Sequence, residues 1–173
     1  EEVTDILELC TGSGCLPIML ADAFYNAQVD AVDISKDALD VARKNVATYE
    51  LEDRITLIES DLYTNVPDKL YDMIITNPPY VNSHSMSKLP QEYLHEPQIA
   101  LAGGDDGMDL VRKIVAGAAK RLKPNGILMV EIGNERVFAD EAFAEYGLTW
   151  LSTSAGDDMV FMLTAEQLQD GEA

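Results

Sequence analysis

Cysteine, histidine and basic side chains are scarce in this chain. Its two cysteines, Cys10 and Cys15, lie far in sequence from its two histidines, His84 and His95. A disulfide framework is therefore excluded, no zinc-like ligand spacing exists, and no metal is expected. Twelve lysines and arginines stand against 31 aspartates and glutamates, a formal net charge of −19. Such a surface repels a phosphate backbone, so direct nucleic-acid binding is not expected and a basic protein is the better-matched partner. A solvated surface adapted to salt is the other reading of the same acidity. No apolar run approaches the roughly 18 residues of a membrane span, and no basic-then-apolar leader opens the chain. The cytoplasm is the expected setting, with no membrane partner.

What is present is ample for one core: 173 residues, 47% of them hydrophobic, without repeats or low-complexity tracts. The chain opens at Glu1, without a methionine and a few residues ahead of a core strand, which reads as a fragment of a longer protein. Asp5 to Leu9 is an apolar run ending in Thr11-Gly12-Ser13-Gly14, and a helix follows over Leu16 to Phe24 with Pro17 in its first turn. Gln28 to Asp33 is a second strand. Ser35 caps a helix whose expected buried face is Ala38, Leu39, Val41, Ala42, Val46 and Tyr49. Arg54 to Glu59 and Tyr71 to Thr76 are the third and fourth strands. Residues 81–106, rich in proline and glycine, form a long connection expected to cover a site. Gly107 to Leu122 is a helix with Met108, Val111, Ile114, Val115 and Ala118 inward, and Lys123-Pro124-Asn125-Gly126 turns into strand Ile127 to Ile132. A helix over Glu135 to Tyr146 ends at Gly147. Leu148 to Ser152 and Met159 to Thr164 form a hairpin around Ala155 to Asp158, and the acidic tail is expected to fray. Strands alternating with helices between the first five predict an α/β fold: a doubly wound, mainly parallel seven-stranded sheet of Rossmann type that ends in an antiparallel hairpin.

Two stretches carry chemistry. Gly12 and Gly14 end the first strand, where missing Cβ atoms let backbone approach a ligand, and Asp33 ends the second, where an acid accepts from ribose hydroxyls. Asp33 could equally cap the helix beside Ser35. The third glycine of a dinucleotide fingerprint would fall at Pro17, which favours a nucleoside lacking pyrophosphate. The second stretch is Thr76-Asn77-Pro78-Pro79-Tyr80, directly after Met73-Ile74-Ile75. Its two prolines stiffen the loop and leave carbonyls unpaired. The Asn77 side-chain oxygen and the Pro78 carbonyl can each accept one N–H of an NH2 group, with the Tyr80 ring stacked on its plane. An ordinary turn ending a strand is the alternative.

With these motifs the chain resembles, over nearly its whole length, the Class I S-adenosylmethionine-dependent protein glutamine methyltransferases with an Asn-Pro-Pro-Tyr motif. The segments Leu89 to Pro97, Thr149-Trp150 and Val160 to Leu168 are most similar to the branch that modifies a large-subunit ribosomal protein. The release-factor branch is the close alternative, and a nucleic-acid amino-methyltransferase or a non-catalytic adenosine-binding module is the more distant one. The resemblance implies S-adenosylmethionine as cofactor, left as S-adenosylhomocysteine. It implies that Cys10, Thr11, Gly12, Ser13 and Gly14 wrap the methionine end, with Glu8 standing where the family has Asp and Cys10 where it has glycine. Asp33 would hold ribose, and Asp61 and Leu62 would contact adenine. Asn77, Pro78 and Tyr80 would be catalytic, with Pro79 beside them in binding the substrate amide and Asn77 also near the cofactor. Residues 1–173 would then be a catalytic domain, preceded in the whole protein by a helical substrate-recognition region.

Overall fold

A computed structural model describes residues 2–79, 106–154 and 156–171. The parallel strands β1 (Asp5–Leu9), β2 (Gln28–Asp33), β3 (Ile55–Glu59) and β4 (Tyr71–Thr76) are joined by β5 (Leu122–Glu131) and by the antiparallel pair β6 (Thr149–Thr153) and β7 (Gly156–Thr164). The sheet order is β3-β2-β1-β4-β5-β7-β6. From β1 the chain steps outward through β2 and β3, then returns to place β4 on the other flank of β1. The order thus reverses between β1 and β4, the position at which open α/β sheets bind ligands beyond the strands' carboxyl ends.

The helices cover both faces of the sheet. On one face, Leu20 and Ala21 of α1 (Cys15–Ala23) and Val46 of α2 (Lys36–Thr48) pack with Ile6, Val29, Ala31 and Met73. On the other, Val111, Ile114, Val115 and Ala118 of α3 (Asp109–Ala118) pack with Leu7, Leu9, Ile74, Leu128 and Val130. The α3 positions follow the helical period, and Met108 is buried just ahead of them, as expected. Ser35 caps α2, its hydroxyl accepting from the Ala38 N–H at 3.2 Å.

Several sequence expectations give way. The buried stripe of α2 is narrower than expected: Leu39, Ala42 and Val46 are inside, while Val41 and Tyr49 are exposed. A surface helix has room for apolar residues beyond its core face. Residues 60–70, between β3 and β4, form turns and no helix. Pro124-Asn125-Gly126 does not precede β5 but lies within it: Asn125 adopts φ +66°, and the register against β4 shifts between Tyr71 and Met73, so the turn signal makes a bulge. The helix expected over Glu135 to Tyr146 divides into α4 (Arg136–Ala142) and a 3-10 turn, Ala144–Tyr146, closed by Gly147 at φ +66°. β7 begins at Gly156, so the hairpin is tighter than Ala155 to Asp158 implied.

The tail does not fray over its described part. Ala165–Gly171 forms α5, with Ala165 and Leu168 buried. Thr164 and Gln167 cap it reciprocally: the Thr164 N–H donates to Gln167 Oε1 at 2.9 Å, and the Gln167 N–H to Thr164 Oγ1 at 3.2 Å. Residues 81–105 of the expected covering segment, with His84 and His95, lie outside the described residues. No helix among the described residues is long and apolar enough to cross a membrane.

Candidate functional site

Every described residue expected to hold a ligand lies on, or directly after, the carboxyl end of β1, β2, β3 or β4. The loop after β1 is built for close approach. Cys10, Gly12 and Gly14 all have positive φ, at 63°, 56° and 81°. At Gly14 the requirement is steric as well, since a Cβ there would stand 2.9 Å from the Ala42 Cβ of α2. At Gly12 a Cβ would meet no described residue within 4 Å, which leaves space among the described residues on the loop's outer side. Cys10 holds a left-handed conformation that favours glycine, which accounts for the glycine found at this position in the family the motif resembles. Burial and the charge of Asp33 push the Cys10 thiol up to about 12. It is a neutral packing group rather than a nucleophile.

Asp33 organises the loop. Its Oδ2 accepts the Gly12 N–H and its Oδ1 the Ser35 N–H, each at 2.8 Å. Its own carbonyl accepts the Ser60 N–H at 3.0 Å, tying the end of β2 to that of β3. Both readings of Asp33 are thus compatible: it braces the start of α2 and the glycine loop, and each oxygen keeps acceptor capacity for another donor. Beyond β3, the buried Ser60 hydroxyl donates to the Leu62 carbonyl at 2.9 Å and accepts the Asn65 N–H at 2.9 Å. This shapes the turn that leaves Asp61 exposed and Leu62 half-buried at φ +45°.

Glu8 and Thr11 stand apart from the other buried polar groups. Glu8 is 1% exposed and Thr11 6%, and among the described residues Glu8 Oε2 and Thr11 Oγ1 find no well-formed hydrogen bond, only each other's proximity. Burial pushes the Glu8 carboxyl well above the usual range, and the nearby Asp33 charge acts in the same direction. Orphaned buried polar atoms beneath a glycine loop, next to that space at Gly12, fit the polar amino-acid end of a cofactor such as S-adenosylmethionine. Ser13 is exposed, and its carbonyl accepts from Asn45 Nδ2 of α2 at 2.8 Å.

Across the switch point, Thr76 is buried and its hydroxyl donates to the Leu9 carbonyl at 2.9 Å, fixing the end of β4 to that of β1. Asn77 then emerges exposed, Pro78 is buried and Pro79 half-buried. The buried proline anchors the loop and leaves the Asn77 side chain open to solvent. Tyr80 lies outside the described residues. Sequence reasoning overlooked three supports of this site: Asn45, Ser60 and Thr76. Each is a small polar residue whose role depends on a partner distant in sequence or in a turn, which no local pattern announces.

The known proteins it resembles agree with this geometry. The family model for the methyltransferase small domain matches residues 1–104. A ribosomal protein uL3 glutamine methyltransferase of Burkholderia pseudomallei is 54% identical over 97% of the chain, which spans 57% of that relative's length. Among solved structures, a methyltransferase from Pyrococcus furiosus superposes with a TM-score of 0.68 at 16% identity, covering 95% of this chain and 76% of that one. An O-methyltransferase of Brevibacillus brevis in complex with S-adenosyl-L-homocysteine gives 0.50 at 16% identity over 75% of this chain and 35% of its own. At such identities these structures speak for the fold, an α/β methyltransferase-type sheet, and the sequence match does the rest: this chain belongs to the methyltransferase small domain family.

Proposed function

We propose that this chain is the catalytic domain of an enzyme that transfers a methyl group from S-adenosylmethionine to the side-chain amide nitrogen of a glutamine in a large-subunit ribosomal protein. The observation that carries the proposal is the position of Asn77 and Pro78. They leave β4 on one flank of the switch point, with the glycine loop of β1 and its brace Asp33 on the other. The 54% identity to a uL3 glutamine methyltransferase supports the substrate class, and the excess of acidic residues suits a basic ribosomal protein.

An amide nitrogen is a weak nucleophile because its lone pair is delocalised into the carbonyl. Asn77 Oδ1 and the Pro78 carbonyl each accept one of its N–H groups, aim it, and favour positive charge developing on it, a contribution of up to several kcal/mol. Tyr80, outside the described residues, is assigned by the motif to stack on the amide plane, and Pro79 shapes the wall beside it. Gly12, Gly14, Thr11, Ser13, Cys10 and Glu8 surround the amino-acid end of the cofactor, Asp33 its ribose, and Asp61 and Leu62 its adenine. The bound cofactor supplies a methyl made electrophilic by a sulfonium. In the whole protein, a region ahead of residue 1 would add to substrate recognition, since one amide-binding loop buries far less than the ~1,200 Å² of a stable interface.

The test is transfer of labelled methyl from S-adenosylmethionine to three acceptors: a uL3-type ribosomal protein, a release factor and nucleic acid. Label in the ribosomal protein is the expected result. Label in nucleic acid, or in none of the three, overturns the proposal, and label confined to the release factor overturns its substrate assignment.

A further inference from the structure

We propose that Glu131, at the end of β5, accepts the proton that leaves the glutamine amide nitrogen during methyl transfer, an inference that rests on the function proposed above. The argument begins with register. Thr76 of β4 pairs with Leu9 of β1 on one side and with Val130 of β5 on the other. Extending that register by one residue, past the end of β4 at Thr76, brings Asn77 level with Glu131 at the carboxyl edge, where neighbouring strands run about 4.8 Å apart. Val160 of β7 completes the row opposite Glu131.

The face is right as well. Leu128, Val130 and Ile132 enter the core beneath α3, while Ile127 and Met129 pack on the opposite face with Ile6, Met73 and Ile75. By strand alternation Glu131 falls on the side of Met129. Continued one residue past β4, the same alternation sets Asn77 on the side of Ile75, and so on the face of Glu131, at the edge that the cofactor loop borders.

The environment of Glu131 distinguishes it from the other shielded carboxylates apart from Glu8, which lies sealed beneath the glycine loop rather than at the strand edge. Asp30 holds Tyr71 Oη at 2.8 Å and Lys69 Nζ at 3.0 Å, and Asp5 and Asp72 share Lys123 Nζ at 2.9 Å. Glu131 is half-buried with no such partner among the described residues, and burial alone raises its carboxyl above the ordinary value. Its row neighbours, Asn77 from β4 and Val160 from β7, carry no charge. On the β7 side, Arg136 is engaged with both Asp140 and Asp158. A shielded carboxylate without a cation is costly unless a ligand uses it.

The other acids of this edge are occupied or misplaced. Glu8 lies two rows deeper, paired with Ile75 beneath the glycine loop, Asp33 ends β2, two strands away from β4, and Asp61 follows β3, the far edge strand. Chemistry requires an acceptor. The nitrogen carries two protons before transfer and one after; its new bond to carbon forms as the methyl–sulfur bond breaks and sulfur keeps that electron pair. As the methyl bonds to nitrogen and the nitrogen turns pyramidal, the N–H that had faced the Pro78 carbonyl turns to a Glu131 oxygen, which takes the proton and passes it to solvent. Removing it as the bond forms limits positive charge on nitrogen, a general-base contribution of roughly 100-fold or more.

The experiment compares wild type, Glu131→Gln, Glu131→Asp and Asn77→Ala in single-turnover methylation of the uL3-type protein across pH. Cofactor affinity is followed by calorimetry, and the Glu131 carboxyl by 13C NMR. Glu131→Gln is expected to bind cofactor within about twofold of wild type and to lose about 100-fold in kcat with KM little changed. It should also lose the acid limb of the pH profile, while Glu131→Asp, which keeps the carboxylate, regains part of the rate and the limb. In wild type the Glu131 resonance should shift when substrate is added. If Glu131→Gln does not fold, the limb retained in Glu131→Asp and the substrate-dependent shift decide the matter. Wild-type rate and pH profile in Glu131→Gln, or a resonance indifferent to substrate, overturns the inference while leaving the function intact if Asn77→Ala is inactive. A wild type that transfers no methyl overturns both.

Discussion

Replacing Asp33 by alanine should damage two properties at once, because this carboxylate braces the loop from inside and, in the function proposed, holds the cofactor ribose from outside. Its two oxygens take the Gly12 and Ser35 N–H groups at 2.8 Å each. Hydrogen bonds to a charged acceptor contribute about 1.5 kcal/mol at the lower end, so losing both costs about 3 kcal/mol. For a domain of this size that corresponds to a fall in Tm of roughly 6–12 °C. Asp33→Asn retains one acceptor oxygen and should lose about half as much. Loss of the ribose contact should weaken S-adenosylmethionine binding at least tenfold, or about 1.4 kcal/mol. Calorimetric melting reads the first effect and isothermal titration the second. A cofactor analogue without ribose hydroxyls separates brace from ligand: it should bind wild type weakly and show little further loss in Asp33→Ala, since the interaction is already gone. A folded Asp33→Ala protein with Tm within 2 °C of wild type, or a full additional loss with the analogue, would refute the respective half of this reasoning.

Asn77→Ala should lower kcat by at least about 100-fold while cofactor affinity stays within about threefold, because its oxygen acts on the amide in the transition state; single-turnover transfer beside calorimetry checks this, and near-normal turnover would remove the orienting role. Cys10→Val should destabilise by about 1–2 kcal/mol, since a β-branched residue strains the φ +63° backbone, whereas Cys10→Gly should be nearly neutral; equal melting temperatures would contradict the backbone argument. Burial opposes ionisation of Asp72, but hydrogen bonds from Lys123 and from the Thr4 and Asp5 N–H groups hold its carboxyl down at about 2. A depressed carboxylate stabilises above its unfolded value near 4 and ceases to do so as pH falls through about 2. Denaturant melts at stepped pH should therefore show about 1 kcal/mol, discounted for solvent screening, disappearing between these limits in wild type and missing in Asp72→Asn.

The placement of the glycine loop and Asp33 at adjoining strand ends was legible in sequence because its signals are local. Glycines at a strand end, an acid ending the next strand and Ser35 ahead of a periodic run state their own geometry. The Asn77-Pro78-Pro79 loop was legible for the same reason: prolines dictate backbone. What escaped depends on partners that sequence distance conceals. Thr76 acts through a carbonyl of β1, Asn45 through one of the glycine loop, and the role proposed for Glu131 follows only from extending the β4–β5 register past Thr76. The bulge at Asn125 shows that a turn signal can be absorbed into a strand when pairing on both sides outweighs it. Helix α5 was in principle readable, since Thr164 and Gln167 form a capping box, but acidic composition suggested a loose end and the buried Leu168 decided otherwise.

The central claim, that the loop after β4 presents a glutamine amide to the methyl donor, is tested most directly by tandem mass spectrometry of the ribosomal protein after reaction with isotopically labelled S-adenosylmethionine. A single labelled methyl on one glutamine side-chain amide nitrogen, absent when Asn77→Ala replaces wild type, is the predicted result. Label on a lysine, an arginine or a backbone amine, or label that persists undiminished with Asn77→Ala, would contradict it.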